Sequence, residues 1–271
     1  ITAPRGMPVT ALAPKAPVAD IGSVRHFQAV RDAMEQAAVR TQAEAVEGDA
    51  QPAIDLIARQ DRGPAEHAVA REARKGYDLL VIGMEPLLAG GADQAAGSAE
   101  MSPTLTRVAS GFDRAVCLVS ARGRDVLDPV SAGRRILLPV IGAAYSRDAA
   151  DFALALAQTS GARVTALYVA TASERTTWRR RLSRSWSLAD AADVVLRDVV
   201  ELSRHYSVPV HTAIESRALP EEAVLTELRA GRYDLLIMGV VGARPGDAVF
   251  PGSVPAALLA RAPCSMLLLA S

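Results

Sequence analysis

Tyr233 to Ser253 reads YDLLIMGVVGARPGDAVFPGS. Asp234 to Val240 is a short, nearly continuous apolar run, not an alternating one. Such a run suits a strand buried on both faces of a parallel sheet. Four similar runs lie around it, at Ile136–Val140, Val164–Ala170, Val208–Ile214 and Cys264–Leu269. Helical patterns separate them. Ala149, Phe152, Ala153 and Leu156 recur at helical spacing and predict one apolar face, with Ser146 just ahead as an N-cap. Pro220 followed by Glu221 and Glu222 predicts a helix start, because proline fixes φ and acids favour the positive end of the dipole. Val254, Ala257 and Leu258 form a further stripe, which Pro263 ends. The alternation implies a doubly wound, Rossmann-like α/β sheet with right-handed crossovers. Pro139 conflicts with this, since a proline in a central strand removes a ladder donor.

The same pattern occurs a second time. Tyr77 to Met84 reads YDLLVIGM against YDLLIMGV at Tyr233 to Val240. VTAL at Val9–Leu12 returns at Val164–Leu167, Pro64 matches Pro220, and RAVC at Arg114–Cys117 matches RAPC at Arg261–Cys264. Collinear matches of this kind indicate an internal repeat. Two tandem α/β domains are therefore expected, over residues 1–122 and 134–271, with a linker from Ala121 to Gly133. The second copy has a strand and a helix ahead of its VTAL. The first has only eight residues there, so its opening strand and helix are missing. The chain also opens at Ile1, which reads as a piece of something longer. The repeats are expected to pair through their apolar final strands, since an open apolar edge invites aggregation.

Lys plus Arg equals Asp plus Glu at 30 each, which argues against nucleic acid as a partner, because a phosphate backbone demands a basic footprint. The two cysteines, Cys117 and Cys264, do not make a disulfide framework and read as buried apolar residues. No apolar run approaches the roughly 20 residues that span a bilayer, and no signal peptide is evident. His26, His67, His205 and His211 share no metal-ligand spacing, and no catalytic triad or paired carboxylates can be assembled. No catalytic residue is therefore assigned.

Glycines at 239, 242 and 252, with Ser253, form a phosphate-binding constellation. Gly239 and Gly242 are expected just past the carboxyl end of a strand, where open α/β sheets bind ligands. Gly252-Ser253 opens a helix, whose free N–H groups and dipole receive phosphate. The bland alternatives are turn chemistry for the glycines and simple N-capping for Ser253.

The second repeat resembles the universal stress protein family over nearly its whole length, in ILLPV, YSRDAADFALALA, VTALYV, YDLLIMG and APCSMLLL. The spacing G-x-x-G-x(9)-G-S is similar to the motif of the family's ATP-binding branch. The resemblance implies ATP or another adenine nucleotide on Gly239, Gly242, Gly252 and Ser253, with backbone support near Val140. Ile141 departs from it, standing where ATP-binding members carry an acid. An isoleucine cannot hold a metal, which argues against magnesium there. In the first repeat Gly83 persists, but Pro86 replaces the second glycine and no Gly-Ser follows, so that copy reads as non-binding. Arg5 to Thr10, RGMPVT, resembles a segment of cation/proton antiporter tails. That implies a cytoplasmic, regulatory tandem module behind an inner-membrane transporter, with homodimerisation also open. The competing readings are an interaction module that binds no nucleotide, and a slow ATPase.

Arg175 to Trp186, RTTWRRRLSRSW, carries five arginines and two tryptophans. Three readings stay open for it: a solvated loop, membrane-surface docking, and a lid over bound phosphates.

Overall fold

The computed structural model describes residues 9–14, 54–59, 75–84, 103–122, 134–170, 188–215, 219–242 and 251–271. The Arg175–Trp186 stretch, Arg5 to Pro8, Pro64, Pro86, His26 and His67 lie outside these residues. The chain divides into two compact units, Ile1–Tyr77 and Asp78–Ser271. In the first unit, strands β1 (Val9–Pro14) and β2 (Ile54–Arg59) pair in parallel.

The second unit is a mixed α/β fold. Its strands are β3 (Leu79–Met84), β4 (Ala115–Ser120), β5 (Arg135–Val140), β6 (Arg163–Val169), β7 (Val210–Glu215), β8 (Leu235–Val240) and β9 (Ser265–Ala270). The helices are α1 (Pro103–Ser110), α2 (Ala144–Ser160), α3 (Leu188–His205), α4 (Pro220–Gly231) and α5 (Ser253–Arg261). The seven strands form one sheet in the order β3-β4-β9-β8-β5-β6-β7. All neighbours are parallel except β4 and β9, which run antiparallel from Val116 opposite Ala270 to Ser120 opposite Met266.

The continuous apolar runs become strands buried on both faces. Ile136, Leu138 and Val140 join one core cluster with Ala149, Ala153 and Tyr168. Leu137, between them, is buried on the other face. In α2 the buried residues are Ser146, Ala149, Ala150, Ala153, Leu154 and Ala157. The predicted stripe is thus turned slightly, with Phe152 and Leu156 at its margin. Alanines on the buried face let the helix backbone approach the sheet closely. Gly161 ends the helix in the left-handed region at φ 66°, where glycine carries no Cβ penalty.

Ser146 is not the N-cap. Ala143 is, and Ser146 sits in the first turn, where its buried hydroxyl accepts from the Ile141 N–H at 3.0 Å. The start of α4 follows the sequence reading, with Pro220 at its opening and Glu221 and Glu222 in the first turn. The Pro139 conflict also resolves. β5 pairs with β8 only at Ile136–Leu235 and Leu137–Leu236, whereas its ladder with β6 continues to Val140. The missing donor therefore falls where β5 and β8 have already parted.

Tyr206 fixes the end of α3 against α2. Its hydroxyl donates to Asp151 Oδ1 at 2.7 Å, and Gln158 donates to its carbonyl at 3.0 Å. The bond to Asp151, then burial and the carboxylate charge, push the phenol up to about 12 from its ordinary value near 10. A raised folded-state pKa adds stability that is present below pH 10 and lost as pH rises towards about 12. Tyr206→Phe should cost up to about 1 kcal/mol at pH 8, because the bond is exposed. The gap from wild type should close in urea melts between pH 10 and pH 12.

Candidate functional site

The order β9-β8-β5-β6-β7 places a topological switch point between β5 and β8, the only neighbouring pair in that run whose chain connections leave in opposite directions. Crevices beyond the carboxyl ends of such strands are where open α/β sheets receive ligands. Here the strands part early, after Leu137 and Leu236. Val140, Ile141 and Gly142 border the opening on one side, and Val240, Val241 and Gly242 on the other.

Each residue picked out from the sequence has a definite place. Gly239 lies inside β8, opposite Leu269, and not past the strand's end. A Cβ on it would meet the Tyr145 carbonyl oxygen at 2.0 Å and the Ser146 nitrogen at 3.0 Å. Gly239 is therefore glycine because the first turn of α2 rests on β8. Gly242 lies just beyond the strand as expected, but its N–H donates to the Ser271 carbonyl at 3.2 Å. That bond extends the β8–β9 ladder and occupies the donor that a phosphate would need.

Val140 is buried in the core. The neighbouring Ile141 N–H, the nearest backbone support, is taken by Ser146. Val140, Ile141, Gly142, Ser146, Arg147 and Asp198 help to line a cavity of about 270 Å³ between the end of β5, the start of α2 and α3. None of the four glycine-motif residues lines it. Among the described residues no group of three or more His, Cys, Asp or Glu side chains could hold a metal ion.

Gly252 and Ser253 form the start of α5. Gly252 is the N-cap, with φ 103° and ψ 163°, a conformation that side-chain-bearing residues rarely adopt. Its carbonyl accepts from the Ala256 N–H at 3.0 Å and closes the first turn. Ser253 is exposed. Pro255 has no N–H, so the backbone donors left in the first turn are those of Ser253 and Val254. Among the described residues neither has an acceptor, and the turn carries no acid. Two aimed donors, a hydroxyl and the positive dipole end make this a place for an anion.

The sequence reading missed what holds the other end of α5. Arg122, placed in the expected linker, follows β4 directly. Its guanidinium donates to the Ala262 carbonyl at 2.7 Å and to the Leu259 carbonyl, while its N–H donates to Ser265 Oγ at 2.9 Å. A cation thus caps the negative end of the helix whose positive end is the candidate site. An arginine in a stretch rich in Gly, Asp and Ser carries no signal for this role. Arg122→Ala should lower stability by about 1.5–3 kcal/mol, since bonds from a charged donor are lost. Arg122→Lys should recover only part of that, because an ammonium cannot span two carbonyls as a fork. Urea denaturation of both variants checks this. On the outer side, Arg261 of α5 pairs with Glu222 of α4 at 2.6 Å and holds that carboxyl below its ordinary value.

Cys117 is fully buried, and burial pushes its thiol up to about 12. A thiol so protonated is a packing residue and a poor nucleophile.

The universal stress protein family pattern matches residues 133–270, just over half of the chain, and the chain belongs to that family. A universal stress protein from Archaeoglobus fulgidus DSM 4304 shares the fold over 97% of this chain and 87% of its own, at 15% identity and a TM-score of 0.58. A functionally unknown protein from Pseudomonas aeruginosa PAO1 does so over 96% and 91%, at 10% identity and a TM-score of 0.52. At these identities the likeness is one of fold. A family protein from Arabidopsis thaliana, solved with AMP bound, covers 50% of this chain and 90% of its own at 17% identity and a TM-score of 0.38, too distant to carry residue positions over. No curated protein matches the chain. No helix among the described residues is long and apolar enough to cross a membrane.

Proposed function

We propose that this chain is a regulatory module that binds one adenine nucleotide, of the ATP type, with its phosphates on the start of α5. The observation that carries the reading is the geometry of Gly252 to Val254. A positive-φ glycine opens the helix, and two backbone N–H groups and the Ser253 hydroxyl stand ready at its first turn. Family membership supports it. Within the sequence-derived site, Gly252 and Ser253 are the phosphate ligands. Gly239 acts indirectly, by seating α2, and Gly242 by continuing the sheet. With Ile141 in place of an acid, the nucleotide binds without a protein-held magnesium.

The antiparallel β4–β9 pair supports a further part of the reading, in which two related halves join through their last strands. On the resemblance of Arg5 to Thr10 to antiporter tails, the module belongs on the cytoplasmic side of a cation/proton antiporter and responds to nucleotide without turning it over. Isothermal titration of the 271-residue chain with ATP and ADP tests the core of this proposal. One site per chain is expected, and two sites would overturn it.

A second reading is an interaction module that binds no nucleotide. Two observations favour it: the Gly242 N–H and the Ile141 N–H both already have protein acceptors. Titration with ATP, ADP, AMP and cyclic AMP without heat or thermal shift would establish this reading in place of the first.

A further inference from the structure

The cavity of about 270 Å³ between the end of β5, α2 and α3 stands apart from the glycine motif, and its lining has a chemistry of its own. Its floor is apolar. Val140, Ala150 and Val199 are buried, and Val195 and Leu202 pack beside them. Its rim carries both signs of charge. Arg147 stands in the first turn of α2 and Asp198 on α3, and both are exposed. α3 gives Val195, Asp198, Val199 and Leu202 to the lining, at spacings that share one helix face. An acid inside that apolar stripe adds nothing to the packing of the helix. Among the described residues neither Arg147 nor Asp198 is in an ion pair.

Donors gather on the Arg147 side. α2 is 17 residues long, its first turn holds no acid, and no side chain caps it. The Ala143 carbonyl accepts from the Ser146 and Arg147 N–H groups, and among the described residues the Ala144 N–H has no acceptor. The Ser146 hydroxyl is buried in the lining. Its oxygen accepts from the Ile141 N–H, which leaves its proton to offer. A guanidinium, a hydroxyl and the positive end of a long helix therefore border one side of an apolar cavity, and a carboxylate borders another.

Gly142 shapes the mouth. A Cβ on it would meet Val195 Cγ2 at 3.5 Å, an ordinary contact that reaches from the β5–α2 turn to α3. Its φ is not in the left-handed range, so the backbone does not require glycine there. Glycine at this position leaves a gap that a longer side chain would fill.

We infer that this cavity binds a small apolar α-amino acid of about the size of leucine. Its carboxylate faces Arg147, the Ser146 hydroxyl and the start of α2. Its ammonium faces Asp198, and its side chain lies on Val140, Ala150 and Val199. The volume is just under the usual range of about 300–1,000 Å³ for ligand pockets, which limits the occupant to a molecule of this size. The charges select among such molecules. An apolar acid without an amine would leave Asp198 facing a like charge, and an apolar amine would do the same to Arg147. Neither Gly252 nor Ser253 lines the cavity, so this inference stands or falls separately from the phosphate site.

The test is an amide nuclear magnetic resonance titration of the 271-residue chain with three probes at neutral pH: L-leucine, 4-methylpentanoate and 3-methylbutylamine. Leucine should give saturable shifts at Ala144, Ala150 and Val199. Each analogue lacks one of the two charges and should bind at least about tenfold more weakly. Arg147→Ala and Asp198→Ala should each weaken leucine by a similar factor, and as exposed positions they should leave the thermal midpoint nearly unchanged. Gly142→Leu should abolish leucine binding in a folded chain, because its side chain fills the mouth. Absence of saturable shifts with leucine would overturn the inference. So would equal binding of leucine and either analogue, unchanged leucine affinity in both charge variants, or full affinity in a folded Gly142→Leu variant.

Discussion

Gly239→Ala should destabilise the second unit by about 3 kcal/mol, the upper end of what overpacking usually costs. The new Cβ would sit 2.0 Å from the Tyr145 oxygen and 2.6 Å from the Tyr145 carbonyl carbon. Both are backbone atoms, so no side chain can swing aside. Either β8 must leave its place between β5 and β9, or the first turn of α2 must lift from the sheet. Lifting α2 would break the Ser146–Ile141 bond and open the core beneath Ala149 and Ala153. The thermal midpoint should fall by roughly 6–12 °C. Gly83→Ala supplies the control, since the same change at the matching position meets nothing within 4 Å. Its midpoint should stay near that of wild type. Equal losses from the two alanines, in thermal or urea melts, would show that the glycines are required for backbone freedom and not for contact.

The second large effect concerns the site. Ser253→Glu should reduce nucleotide affinity by at least about a hundredfold, because a like charge beside the phosphates costs several kcal/mol. The fold should not suffer. Ser253 is exposed, and a carboxylate in the first turn of a helix is favourable by about 0.3–1 kcal/mol. Loss of binding with unchanged or raised stability separates a role in phosphate binding from a structural one. Ser253→Ala should be milder, at about 1.5–3 kcal/mol for one bond to a charged group, or roughly tenfold to a hundredfold in affinity. Gly252→Val is a poorer test. At φ 103° any side chain strains the backbone, so the variant would confuse binding with folding. Full affinity in a folded Ser253→Glu variant would remove the phosphate from this helix.

Much of the second half was legible from the residues, because parallel strands buried on both faces read as apolar runs and helix starts carry local signals. Pro220 with two following glutamates is one such signal, and it marks the start of α4. The strand limits moved by a residue or two; β7, for instance, runs Val210–Glu215 where Val208–Ile214 was expected.

The glycines were harder. A glycine that makes room for a ligand and one that makes room for a helix look the same in a sequence, since both report only that a Cβ is excluded. The neighbouring atom distinguishes them, and for Gly239 it is the Tyr145 oxygen. Gly242 illustrates another limit. Its position was expected, but whether its N–H is free depends on Ser271, 29 residues later. Ser146 failed as an N-cap because the helix begins three residues earlier and the hydroxyl faces back to Ile141. Arg122 left no trace because its partners lie about 140 residues away in the sequence.

The most direct test of the central claim is an amide nuclear magnetic resonance titration of the 271-residue chain with ATP. The predicted result is saturable shifts of the Ser253 and Val254 N–H resonances, with one equivalent bound and no change along Leu79–Met84. Saturable binding that leaves Ser253 and Val254 unmoved, or that perturbs the β3 end of the sheet instead, would contradict it.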